Sequence, residues 1–78
     1  MQNVYIAEDI ANRIRARAAE QGKSIHGLLT EARLGVNTVS KMANGADITT
    51  RNFARIADCL ECSVDYLFGR TDNPEINR

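Results

Sequence analysis

The chain has 78 residues but no tryptophan, one proline, one histidine and two cysteines. No run of apolar residues is long enough to cross a bilayer and no signal peptide is recognisable, so a cytoplasmic protein with no membrane partner is expected. No segment alternates apolar and polar residues as a strand does, which points to an all-α fold. No second cysteine pair accompanies the C-x-x-C of Cys59 and Cys62, and His26 stands far from it in sequence, so a four-ligand zinc site is excluded and no metal is expected. A Ser-His-Asp order, a phosphate loop, an H-E-x-x-H motif and a carboxylate pair are all missing, which predicts neither an enzyme nor a cofactor. Internal repeats and low-complexity tracts are missing too.

The formal net charge is also zero, but the charge is unevenly distributed. Between Arg13 and Arg55 the bases are Arg13, Arg15, Arg17, Lys23, Arg33, Lys41, Arg51 and Arg55, against the acids Glu20, Glu31 and Asp47, a local surplus of five. From Asp58 onward Asp58, Glu61, Asp65, Asp72 and Glu75 outweigh Arg70 and Arg78. A basic segment of this kind suits a polyanion, and an acidic end keeps that attraction modest.

Apolar spacing predicts five helices. Residues 8–21 form the first, with Ile10, Ile14 and Ala18 on the buried stripe, Arg13, Arg15 and Arg17 on the exposed side and Gly22 as its stop. Ser24 caps the second, in which Leu28, Leu29 and Ala32 recur at one-turn spacing. A third begins behind Gly35. Val39 and Met42 face its core side, Val36, Asn37, Ser40, Lys41 and Asn44 face the other, and Gly45 ends it in a left-handed cap. Thr49 caps the fourth, carrying Phe53, Ile56, Ala57 and Leu60, and Ser63 caps the fifth, with Val64, Leu67 and Phe68 inward. Residues 1–69 are expected to form one domain, and 70–78, with Pro74, a polar and mobile tail.

The second and third helices are too close together to be independent, which predicts a helix-turn-helix. At SIHGLLTEARLGVNTVSKMANG, residues 24–45, the chain resembles the lambda-repressor-like helix-turn-helix family, which includes Cro and the phage repressors. That family opens its second helix with Ser, here Ser24, follows it with a short turn, here Arg33, Leu34 and Gly35, and closes its recognition helix with a polar run ending in Gly, here Ala43, Asn44 and Gly45. Downstream, FARIADCLECSVDYLFGRTDNP is similar to the family's fourth and fifth helices, above all in a Gram-positive or phage-regulator subgroup whose "VDYL-hydrophobic-GRTDNP" segment ends the domain. The resemblance spans about Ile10 to Pro74 and places Cys59 and Cys62 among small apolar core positions, as buried reduced thiols. It departs at Ile25 and Ala43, where Gln and Glu are frequent. It departs also at Arg33, where the usual Gly leaves this side chain to accept a left-handed backbone.

The resemblance implies a sequence-specific double-stranded DNA-binding transcriptional regulator, a repressor of phage or mobile-element type. Val36, Asn37, Ser40 and Lys41 are the expected base-reading residues: the valine meets a thymine methyl, the asparagine pairs with adenine and the lysine donates to guanine. Ser24, Thr38, Asn44 and Arg51 are the expected backbone contacts, with Lys23 a further phosphate candidate. An inverted-repeat operator and a homodimer on DNA follow from the small number of bases one short helix can read, with helix five, Tyr66 and Phe68 the expected contact. The alternative reading is a protein-interaction module or antitoxin-like adaptor on the same fold.

Overall fold

A computed structural model describes residues 6–76; residues 1–5 of the expected domain and 77–78 of the expected tail, Arg78 included, lie outside them. Among the described residues there are five helices and no strand: α1 (Ala7–Glu20), α2 (Ile25–Glu31), α3 (Thr38–Ala43), α4 (Thr50–Cys59) and α5 (Val64–Phe68). Three begin as the sequence predicts. Ser24, Thr49 and Ser63 hold extended backbone, and their side-chain oxygens accept from the amides of Gly27 (3.0 Å), Asn52 (3.2 Å) and Tyr66 (3.0 Å). Each satisfies an amide that has no partner inside its own helix. α1 has no side-chain cap but carries Glu8 and Asp9 in its first turn, where negative charge faces the positive end of the helix dipole.

All five helices end in one pattern. The residue in the left-handed conformation donates back to the third residue before it, and the following amide closes a wider ring, as in Arg33→Thr30 with Leu34→Leu29 and Glu61→Asp58 with Cys62→Ala57. Glycine holds that conformation after α1, α3 and α5, at Gly22, Gly45 and Gly69. After α2 and α4 it falls to Arg33 (φ 63°) and Glu61 (φ 54°), whose Cβ atoms crowd the backbone there.

The helices share one core. Ile10, Ile14 and Ala18 of α1 meet Leu28 and Leu29 of α2, Val39 and Met42 of α3, Phe53 and Ile56 of α4, Leu60 and Leu67, all buried. α1 lies along α3 and α5, and α4 bridges α2 and α5. Phe68 packs edge-on against Phe53 with ring centroids 5.1 Å apart.

Three sequence expectations change. Val64 is not turned inward but stays 39% exposed, because Leu67 alone fills the inward position of this single-turn helix and Phe68 flanks it. Segment 70–76 turns back on the fold, the Ser63 amide donating to the Pro74 carbonyl at 2.9 Å. Arg17 is not a solvated residue of α1. Its Nε and Nη2 donate to the carbonyls of Leu60 and Glu61, each at 3.1 Å, and its guanidinium lies 5.9 Å from the centroid of the Tyr66 ring. It thereby satisfies the carbonyls of the capping residue and the one after it, with a cation at the negative end of α4.

Because glycine adopts the left-handed conformation without steric cost, Arg33→Gly and Glu61→Gly should each raise stability by about 1 kcal/mol, measured as a shift in urea midpoint at constant slope. A loss of stability in both would contradict the geometry of these two helix ends.

Candidate nucleic-acid interface

α3 has only six residues, too few to hold a helix by itself in water. It is positioned by Val39 and Met42, each 1% exposed, and by its packing along α1. The start of α3 is set by Thr38, whose hydroxyl donates to the Gly35 carbonyl at 2.7 Å, and its end by Gly45. With the inward face fixed, the outward face carries Asn37, Ser40, Lys41 and Asn44, all exposed. Val36 precedes them at 57% exposure, the most exposed large apolar residue among those described. None of these side chains engages another group among the described residues; Asn37, although it stands at the helix start, makes no side-chain cap. The result is a rigidly mounted strip of one apolar contact, two amides, one hydroxyl and one ammonium group, which are the chemical types that distinguish base edges in a major groove.

The expected backbone contacts divide. Ser24 is exposed, and its oxygen accepts the capping bond, which leaves the hydroxyl hydrogen available to donate outward. Thr38 is half-buried with its hydrogen already engaged by Gly35, so it acts on the turn. Asn44 and Arg51 are exposed and unpaired. Arg51 sits in the first turn of α4, which holds no acidic residue. A cation at the positive end of a helix is unfavourable for folding, and an external anion would relieve it.

Lys23 is a correction to the sequence reading. Its ammonium group donates to the Cys59 carbonyl and pairs with Glu31 at 3.3 Å, so it closes the end of α4 and does not reach outward as a phosphate contact. Arg13 stays exposed but its guanidinium lies over the α-carbon of Gly69, where a larger residue would collide with it. The unpaired bases of the basic segment are therefore Arg13, Arg15, Arg33, Lys41, Arg51 and Arg55, and among its acids Glu20 and Glu31 are paired, leaving Asp47. Ile25 packs against the core and so takes a structural place.

No protein-family model, curated protein or solved structure matches the chain.

The other constellation singled out in the sequence is the C-x-x-C. Both cysteines are free, Cys62 buried and Cys59 half-buried, so the expected burial holds fully only for Cys62. Cys59 ends α4 at the edge of the core, whereas the left-handed turn at Glu61 swings Cys62 inward. Among the described residues no group of three His, Cys, Asp or Glu side chains could hold a metal, and no helix is long and apolar enough to cross a membrane. Burial pushes both thiols above their ordinary value of 9.0. Glu31 and Asp58 add to the rise at Cys59 and Lys23 opposes it; at Cys62 the Arg17 guanidinium opposes it.

A thiol whose proton is held more tightly in the folded than in the unfolded chain stabilises the fold below the unfolded pKa and loses that contribution as pH rises through the folded one. Stability should therefore be level below the ordinary thiol value of 9.0 and decline as pH rises above it. Denaturant midpoints across that window check the sign, and a thiol-reactive disulfide should label Cys59 in the native state and Cys62 only on unfolding. Equal native labelling of both would contradict the burial of Cys62.

Proposed function

We propose that the chain is a sequence-specific, double-stranded DNA-binding transcriptional regulator of the lambda-repressor-like type, a repressor of phage or mobile-element kind. In this reading α2, the connection of residues 32–37 and α3 act as a helix-turn-helix. The observation that carries it is the outward strip at α3: Val36 and Asn37 just before the helix and Ser40 and Lys41 on it stand exposed and unpartnered, while its other face is locked into the core. An exposed valine and an unused asparagine in the same strip do nothing for folding, and both have a use against base edges.

Ser24, Asn44 and Arg51 flank the strip in sequence and supply donors for phosphates, which fix register without reading sequence. Asn37 would accept from N6 and donate to N7 of one adenine, Lys41 would donate to a guanine edge, and Val36 would cover a thymine methyl. One such strip covers too few base pairs to select a site in a genome, so the reading includes a homodimer on an inverted-repeat operator, with recognition helices roughly 34 Å apart.

Selection from random duplexes tests the reading directly and should return an inverted repeat. On the selected site Asn37→Ala should cost about 1 to 3 kcal/mol and relax preference at one base pair, while Arg51→Ala weakens binding to all sequences alike. Few phosphates are neutralised by so small a cationic set, so log affinity should fall against log salt with a slope of about −3 to −5 per domain. Binding that ignores salt, or an Asn37→Ala variant unchanged in affinity and preference, would contradict the proposal; retention on neither heparin nor random duplex would favour a protein-interaction role.

A further inference from the structure

Two of the bases that the α3 strip does not use stand together. Arg33, in the turn after α2, and Arg55, on α4, are exposed, unpaired and line one shallow hollow that Asp58 borders. Asp58 also borders an adjoining hollow lined by Glu61, Glu75 and Ile76. The basic hollow contains one further acid, Glu31, whose charge Lys23 balances. The surface therefore has a basic half and an acidic half side by side, sharing Asp58, and none of Asp58, Glu61 and Glu75 forms an ion pair among the described residues.

A second, independent observation falls on the same surface. Five helices end through a left-handed residue, and the two that place a charged side chain there, where glycine would sit without strain, do so at Arg33 and Glu61. One lies in each half. Nothing inside the fold explains either choice: the Arg33 side chain has no partner, and what Arg17 takes from Glu61 is its backbone carbonyl, which any residue would supply. Strain retained at exposed residues without a folding role points to a role outside the fold.

We propose that this surface joins two copies of the chain about a two-fold axis, with Arg33 and Arg55 of each copy set against Glu61 and Glu75 of the other. A contact of that symmetry must be self-complementary, and a basic patch beside an acidic one becomes so when turned by half a revolution about their shared border. Ile76, 38% exposed in the acidic half, supplies apolar area for the partner to cover. On the aromatic surface expected to pair two copies, part of each ring is already covered within the fold, Tyr66 being half-buried beneath Arg17 and Phe68 half-buried against Phe53 and Arg70. Ion pairs exposed to solvent are individually weak and screened by salt, so the association is transient at physiological ionic strength. It involves none of the α3 residues and does not depend on the DNA-binding proposal.

Sedimentation velocity of the full chain without DNA tests it. The wild type should show concentration-dependent association at about 0.03 M salt that disappears by about 0.5 M, where charges more than a few ångströms apart no longer interact. Arg33→Glu with Arg55→Glu, and separately Glu61→Lys with Glu75→Lys, should each abolish self-association, and an equal mixture of the two variants should restore it. Arg33→Gly and Glu61→Gly remove one charge each while easing the backbone, so their expected weakening of association cannot be attributed to unfolding. Arg15→Gln, an equal loss of charge away from this surface, should leave association unchanged. A wild type that stays monomeric at every concentration in low salt, or association that survives in both double variants, would overturn the proposal.

Discussion

Short helices must be closed at both ends, and the rest of this structure depends on that constraint. Helices of 14, 7, 6, 10 and 5 residues lose too much chain entropy to form alone, so each needs its terminal amides and carbonyls satisfied and one face buried. Ser24, Thr49 and Ser63 do this at the starts, and left-handed turns do it at the ends. α3 is the extreme case: with six residues and no side-chain cap, its position comes from Val39, Met42 and the Thr38 turn. An outward face mounted in this way meets a ligand with little further loss of freedom, which is the condition for discriminating among similar base edges.

The same constraint sorts the charges. The end of α4 presents carbonyls that no residue near them in sequence satisfies, and Arg17 and Lys23 reach across from α1 and the turn after it to do so. Two of the eight bases between Arg13 and Arg55 thus serve the fold, and Arg13 is held over the end of α5. What stays outward is divided: Lys41 lies within the α3 strip, Arg51 at the start of α4, Arg33 and Arg55 between α2 and α4, and Arg15 on α1. A zero net charge is therefore compatible with two local surfaces of different use.

Much of the fold was legible because the interactions that specify it are local. A capping oxygen and the amide it accepts from are three residues apart, so Ser24, Thr49 and Ser63 could be read directly, as could the Ile10, Ile14 and Ala18 stripe. The left-handed Arg33 was foreseen from its place in the motif, whereas Glu61 carried no comparable signal. The roles of Arg17 and Lys23 are not legible in the sequence because their partners lie 43 and 36 residues away, and nothing in a run of arginines says which one will meet a helix end. The return of segment 70–76 rests on a backbone amide, Ser63 to Pro74, which leaves no mark on composition. In the candidate site, the alternation of Val39 and Met42 with Asn37, Ser40 and Lys41 gave the face, but the commitment of Thr38 to Gly35 needed the geometry of the turn.

If the α3 strip is what meets DNA, contact should be seen there at residue resolution. Amide correlation spectra recorded while a duplex carrying the selected sequence is added should shift most at residues 36–44 and at Arg51, with Arg33, Arg55 and Glu61 little affected at moderate salt. Shifts concentrated between α2 and α4 with the α3 strip silent, or spectra unchanged by any duplex, would contradict the assignment of DNA recognition to this face.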